Sequence, residues 1–274
     1  MKVGITLLAI AVGYLLGSVS FARLGVRFFA PDGDLAKVAV HVAGTEEEHE
    51  VSTFGANSAS MLLGPRLGCF IGVLDMLKVA LPVLAFRLAY PEPAYAIVTA
   101  VAGLVGHNWP VFYGFKGGRG FSVILGSFFV LDWLGALVTL VGGLLLGTLV
   151  FASTAVADLA WLVLMILWMW LRHQDAWYLV FAVLANLLFV LAMVPDIKTI
   201  MKYRRDGQLD AYLQGLQSSS PRSRGMKRMT DFVKRVRPKL FRALLIAFCA
   251  LLIIALVGPF LVPIPPLEDT VPAE

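Results

Sequence analysis

Residues 121–195 run almost continuously apolar for 75 residues. Inside a bilayer every backbone N–H and C=O must be satisfied within its own segment, so a stretch of this length has to fold as several membrane helices. Polar dividers stand at Asp132, at 151–154 and at 172–175. They predict four short or tilted helices with Asp132 close to an external turn; a half-spanning segment over 121–131 is the competing arrangement. Elsewhere, apolar segments at 3–24, 67–89, 94–112 and 243–262 are each long enough to cross. The chain is 59% hydrophobic and 15% charged, with a mean hydropathy of +0.81, against roughly 45–50% and 25% for a soluble chain. The expectation is an all-α, polytopic integral membrane bundle of 7 to 8 transmembrane helices.

Chemistry concentrates in one break between apolar runs, GLVGHNWPVFYGFKGGRGFSVILG at 103–126. Gly117, Gly118 and Gly120 leave the backbone around Lys116 and Arg119 uncovered, just before an apolar helix opening at Phe121. A loop of this kind holds a phosphate by amides, charge and helix dipole. His107 lies just upstream as a candidate for orienting substrate or handling a proton, and Pro110 restricts the approach to the loop. A plainer reading stays open: the two cations keep a connection in the cytoplasm and the glycines permit tight turning. The spacing is not that of a nucleoside-triphosphate loop.

Charge is uneven along the rest of the chain. Residues 198–242 hold 13 of the 23 Lys and Arg but three of the 18 acids, and the tail after 263 is acidic and proline-rich. That divides the chain into a membrane domain (1–205), a basic cytoplasmic linker (206–242) and an extra C-terminal helix with an external tail (243–274). The linker's first part reads as an interfacial helix and SSSPRSRG as a flexible break; no nucleic-acid recognition module accompanies the basic charge. Residues 31–50 carry six acids and one lysine and read either as a small hairpin or as a disordered loop. His41 and His49 lie in this loop, where a solvated surface is the default over a metal site. In the second span, Asp75 and Lys78 are three apart on one helical face, so they either pair as a buried structural ion pair or help to orient a site. Cys69 and Cys249 have no metal or redox spacing.

YLLGSVSF at 14–21, FGANS at 54–58, GVLDMLKVALPV at 72–83 and above all GHNWPVFYGFKGGRG at 106–120 resemble the PlsY-type bacterial family that acylates glycerol 3-phosphate from acyl phosphate. The resemblance covers about 1–205. Within its second motif His107, Pro110, Phe115, Lys116, Gly117, Gly118 and Gly120 match, and Arg119 replaces a usual lysine. The resemblance implies cytoplasmic motifs, an external N-terminus and a location in the cell inner membrane. It also implies acyl phosphate and glycerol 3-phosphate as substrates, membrane lipid as surroundings, an upstream enzyme that forms acyl phosphate, and no metal, cofactor or CoA thioester. Two motifs depart from the family. In EVSTFGANSASM the expected arginine falls at Met61, and in MVPDIKTI Met193 stands at a histidine and Asp196 at an asparagine.

From the residues and the resemblance together, His107, Lys116 and Arg119 are the catalytic candidates. Asn57, Ser58, Gly117, Gly118, Gly120, Ser122 and Asp196 are the substrate-binding candidates. Three functions compete: acyl transfer to glycerol 3-phosphate or a related phosphorylated acceptor, a catalytically degenerate lipid-binding or scaffold protein, and a transporter of a small phosphorylated compound.

Overall fold

The computed structural model describes residues 1–51, 53–147, 154–173 and 175–235, so the 243–262 span and the tail lie outside the described residues. In chain order the helices are α1 (Val3–Gly17), α2 (Phe21–Phe29), α3 (Ala56–Leu63), α4 (Pro65–Ala89), α5 (Pro93–Asn108), α6 (Phe121–Leu131), α7 (Trp133–Leu145), α8 (Thr154–Arg172), α9 (Ala176–Arg205), α10 (Leu209–Ser219) and α11 (Pro221–Arg235). Strands β1 (Ala39–His41) and β2 (Glu48–Glu50) form an antiparallel hairpin between α2 and α3.

The first apolar segment is not one helix through 24. It ends at Gly17, and Ser20 restarts the chain by accepting a hydrogen bond from the Arg23 amide at the head of α2. Helix α2 buries Ala22 and Val26 and exposes Arg27, Phe28 and Phe29, an amphipathic pattern suited to an interface. Asp132 ends α6 and caps α7 by accepting from the Gly135 amide, so the apolar run does divide there. At 11 residues α6 is about 16 Å long, roughly half of a bilayer core.

Helices α4 and α9, of 25 and 30 residues, have the length and apolar character to cross, as does the joined stretch Val3–Phe29. Their outward faces carry exposed leucines and valines such as Leu81, Leu88 and Leu187, which a bilayer would cover. The main core lies between α4, α5, α6, α8 and α9, around Val79, Leu104, Phe128, Trp161 and Phe181. Backbones of α1 and α5 nearly touch: a Cβ on Gly13 would run into the Thr99 carbonyl and one on Gly17 into that of Gly103. Small-residue contact of this kind lets helices associate where water supplies no driving force.

Two expectations change on the far side of 195. The ninth helix passes through Pro195 to Arg205, because its last turns find apolar partners: Ile200 and Tyr203 pack with Val40 and Val42 of the hairpin and with Tyr212. SSSPRSRG is helical on both sides of a single cap, since Ser220 accepts from the Ser223 amide and Pro221 occupies the first helical position, where no N–H is needed.

Of the two readings of 31–50, the hairpin forms. It is docked, with the Ala43 amide donating to the Ala211 carbonyl at 3.1 Å and Tyr203 donating to Glu47 at 2.9 Å. His49 pairs across the strands with Val40 and His41 with Glu48, which sends the two imidazoles to opposite faces. No group of metal-binding side chains forms among the described residues.

Candidate active site

The glycine loop closes over the end of α5. Helix α5 stops at Asn108, ahead of Pro110, and a single 3₁₀ turn (Val111–Tyr113) leads into two consecutive left-handed residues, Gly114 at φ 60° and Phe115 at φ 59°. A bulky residue rarely adopts that conformation; here the Phe115 amide is held by the Pro110 carbonyl at 3.0 Å. This turn sets Lys116 at the tip, exposed, with no partner for its ammonium among the described residues.

Beneath the loop lies a buried polar chain. The Lys78 ammonium donates to the Val19 carbonyl at 2.5 Å and to Nδ1 of His107 at 3.0 Å, and pairs with Asp75 at 2.9 Å. Lys78 and Asp75 side chains are 5% and 3% exposed, so the predicted ion pair exists and faces the protein interior. An ammonium has only donors; Nδ1 must therefore accept, which leaves the proton of a neutral His107 on Nε2. That edge of the ring lies directly against Gly118, where any Cβ would run into Nε2.

Glycine at 118 is thus required by the imidazole, and glycine at 117 by the His107 and Asn108 carbonyls. The Gly118 amide itself donates to the His107 carbonyl at 3.1 Å, so this glycine amide is already engaged. Open donors come from elsewhere. Neither α3, which begins after Gly55, nor α6, which begins after Gly120 at φ 85°, has a side-chain cap. The start of α3 faces the loop, a Cβ on Gly55 lying 3.7 Å from the Gly118 Cα. Two positive helix ends therefore meet beside Lys116. Beneath the loop, Ser18, Ser20, Phe54, Lys78, His107 and Gly117 line a tightly closed crevice.

The remaining predicted residues sit at the edges of this arrangement. Arg119 forms a bidentate pair with Asp196 of α9, at 2.6 and 2.8 Å, which ties the loop to the last helix of the bundle. Asn57 is exposed and accepts from Ser220 at 3.0 Å. Ser58 is fully buried, with its hydroxyl on the Thr53 carbonyl at 2.7 Å. Ser122 lies near Gly72, its hydroxyl 3.7 Å from where a Cβ would stand. Met61 packs among apolar residues of α2, α3 and the hairpin, and Met193 against the main core. Near Asp196, burial and that carboxylate's charge raise the Tyr212 hydroxyl above the usual phenol range.

Sequence reasoning missed Arg23 and Ser18. Arg23 donates to the Lys116 carbonyl at 3.0 Å across 93 residues of chain, and the Ser18 hydroxyl is buried without a partner.

A family profile described as glycerol-3-phosphate acyltransferase matches residues 7–203. The chain belongs to the glycerol-3-phosphate acyltransferase family. A family member from Legionella pneumophila (strain Corby) is 35% identical over 119 residues, 43% of this chain and 38% of that relative. The chain thus spans well under half the length of the Legionella relatives it matches. A second from Dehalococcoides mccartyi is 30% identical over 151 residues, 55% of this chain and 74% of the relative. Among solved structures, PlsY (YgiH), an integral membrane glycerol 3-phosphate acyltransferase in its glycerol 3-phosphate form, superposes with a TM-score of 0.59. The two are 25% identical, over 73% of this chain and 93% of that one. The matched profile takes in α1 through most of α9, and with the apolar helices it makes this chain an integral membrane protein.

Proposed function

We propose that the protein transfers a fatty acyl group from acyl phosphate to the hydroxyl of glycerol 3-phosphate, giving lysophosphatidate for phospholipid synthesis. The observation that carries this reading is the convergence of two uncapped helix starts and the unpaired Lys116 ammonium on a loop held against His107. Lys116 and the first-turn amides of α3 and α6 hold phosphate. His107, with Nε2–H at the loop, orients a substrate oxygen, and Lys78 with Asp75 fixes its ring. Arg119 acts mainly through its Asp196 pair, by setting the loop; Asn57, Ser58 and Ser122 shape the rim.

The donor is already activated, so positioning and charge stabilisation suffice. The acceptor oxygen forms a bond to the carbonyl carbon, the bond from that carbon to the phosphate oxygen breaks, and the hydroxyl proton leaves on the released phosphate. No nucleophilic side chain is needed. Purified protein given acyl phosphate and glycerol 3-phosphate should yield lysophosphatidate. Phosphate release alone would indicate hydrolysis, and no product with any acyl phosphate would defeat the reading.

A second reading, a degenerate lipid-binding or scaffold protein, draws on Met61 and on the internal partners that already engage Asn57, Ser58 and Arg119. We place the loop end on the cytoplasmic face of the inner membrane, within reach of an enzyme that makes acyl phosphate, with the N-terminus and the tail after 263 outside. The Lys2 amide bonds to Tyr95 at the far end of α5, which separates the N-terminus from the loop. With Cys69 and Cys249 both replaced by serine, labelling of Lys37→Cys and Gly225→Cys should occur from one side and of Lys2→Cys from the other; any other pattern overturns this orientation.

A further inference from the structure

Arg23 is bound to the glycine loop through two contacts and to Phe54 beside it through a third. Its Nη2 donates to the Lys116 carbonyl at 3.0 Å, and its guanidinium carbon lies 4.0 Å from the ring centroid of Phe54 and 5.0 Å from that of Tyr113. Phe54 is in turn fastened to the loop, its amide donating to the Gly117 carbonyl at 3.1 Å. Two aromatic faces therefore hold the planar guanidinium in a set orientation, with its N–H donors directed around the edge. Those donors are under-used. Among the described residues no carboxylate lies within ion-pair distance of Arg23, although the Asp34 charge reaches it from further off, and its Nε is buried without a hydrogen-bond partner.

The guanidinium is only partly buried, but its enclosed Nε–H is costly to leave without an acceptor, and an anion would supply one. The nearest positive group along the loop is Lys116, whose own carbonyl Arg23 holds and whose ammonium has no partner. Two cations thus flank one backbone segment, beside the uncapped starts of α3 and α6. Met61, where the family resemblance expects a basic side chain, is packed with apolar groups of α2 and the hairpin, so no charge reaches the site from there. Helix α2 supplies a guanidinium to the same end of the molecule.

We propose that Arg23 is a phosphate-binding residue that works with Lys116 as a two-cation clamp on a phosphate monoester or acyl phosphate dianion. The proposal rests on the acyltransferase reading of the loop. Its plainer competitor is a rivet, in which Arg23 only fastens the loop to Phe54 and Tyr113.

The full-length chain in detergent separates the two. Arg23→Met should raise the KM of a phosphate-bearing substrate by about tenfold or more, with kcat within about threefold, and should raise the inhibition constant of inorganic phosphate in parallel. Arg23→Lys should recover part of the loss and, because it keeps the stem and charge, serves as the test if Arg23→Met does not fold. A rise confined to glycerol 3-phosphate assigns the clamp to the acceptor, and one confined to acyl phosphate assigns it to the donor. A fall in kcat with both KM values and phosphate inhibition unchanged would leave a rivet and overturn the clamp. If the unmodified chain makes no product, the acyltransferase reading fails separately, and binding of inorganic phosphate decides on Arg23. Weaker binding by Arg23→Met supports the clamp; equal binding, or none by the unmodified chain, ends it.

Discussion

Asp75 toward the loop end and Asp132 at the opposite end are each buried beside a histidine and a basic side chain, yet their surroundings differ in what is left over. Asp132 accepts from Trp168 at 2.7 Å, His173 at 2.9 Å and the Gly135 amide at 2.9 Å, with Arg172 at 3.2 Å. His173 stacks flat on Tyr178, with ring centroids 4.0 Å apart. The carboxylate is fully provided for, and it caps α7. Around Asp75 and His107 the opposite holds: α3 and α6 start uncapped, the Ser18 hydroxyl and the Asn108 Oδ1 are buried without partners, and Lys116 is unpaired. Similar residue types thus make a joint at one end and an incomplete site at the other. Buried polar groups in native proteins are nearly all satisfied, and Ser127 and Trp161 in the core also lack partners, so the orphans at the loop end support the proposed ligand site there only together with the uncapped helix starts and Lys116.

The largest test of this contrast falls on the saturated end. Asp132→Ala would strand Arg172, His173 and the Trp168 N–H and remove the α7 cap. Breaking a buried pair in this way costs about 3–5 kcal/mol. The expected result is a large loss of thermal stability in detergent with kcat/KM per folded molecule unchanged. A kinetic defect at preserved stability would mean that the two ends are not functionally distinct.

At the open end the effect should invert. On the proposed reading, Lys116→Ala removes a charge-assisted contact to phosphate worth about 2–4 kcal/mol, or roughly 30-fold to 1000-fold in kcat/KM. Melting temperature should barely move, since the ammonium has no internal partner to lose. Lys116→Arg should restore only part of the activity, because the guanidinium keeps the charge but not the compact geometry. An unstable but kinetically normal Lys116→Ala would make the loop structural.

A matched pair of glycines sharpens the comparison. A Cβ at Gly118 would meet the His107 ring, and one at Gly135 would meet Trp168 and Asp132. Overpacking of either kind costs about 1–3 kcal/mol, so both alanine variants should lose comparable stability. Turnover should fall for Gly118→Ala alone. Equal kinetic loss in both would trace the defect to general loosening of the bundle.

The contrast between the ends was only half legible in the sequence. Glycine density, a histidine and two cations in a break between apolar runs marked the loop, and the i, i+3 spacing of Asp75 and Lys78 marked a buried pair. Asp132 was visible as a divider because a lone acid interrupts an apolar run, but its partners Trp168 and His173 are 36 and 41 residues away and no local pattern announces them. Arg23 was hidden for the same reason: at the end of an apolar segment an arginine reads as an interfacial anchor. The hairpin left a trace in the alternating valines of VAVHV, which the acidic run beside them obscured. Orphaned donors are a property of three-dimensional packing, so the feature that distinguishes the two ends has no signature in the chain.

The smallest effect is expected where the chain leaves the bundle. Arg222 of α11 pairs with Asp158 of α8 at 3.0 Å and lies 4.8 Å from the Phe121 ring, one residue beyond Gly120. Ser220 bonds to Asn57 at the head of α3, so both uncapped helix starts have a neighbour from the C-terminal segment. Unlike Lys116, however, Arg222 already has a carboxylate, and its side chain is 46% exposed. The Asp158 side chain is 18% exposed, so the pair is half-buried and worth about 1–2 kcal/mol, and the charge it would offer a substrate is largely cancelled. Arg222→Ala should therefore change kcat/KM by less than about fivefold, while leaving the Asp158 carboxylate unpaired lowers stability by about 1–2 kcal/mol. A rise of tenfold or more in the KM for glycerol 3-phosphate, in a variant that melts normally, would move the C-terminal segment from the rim into the site. It would also extend the incomplete network across α11.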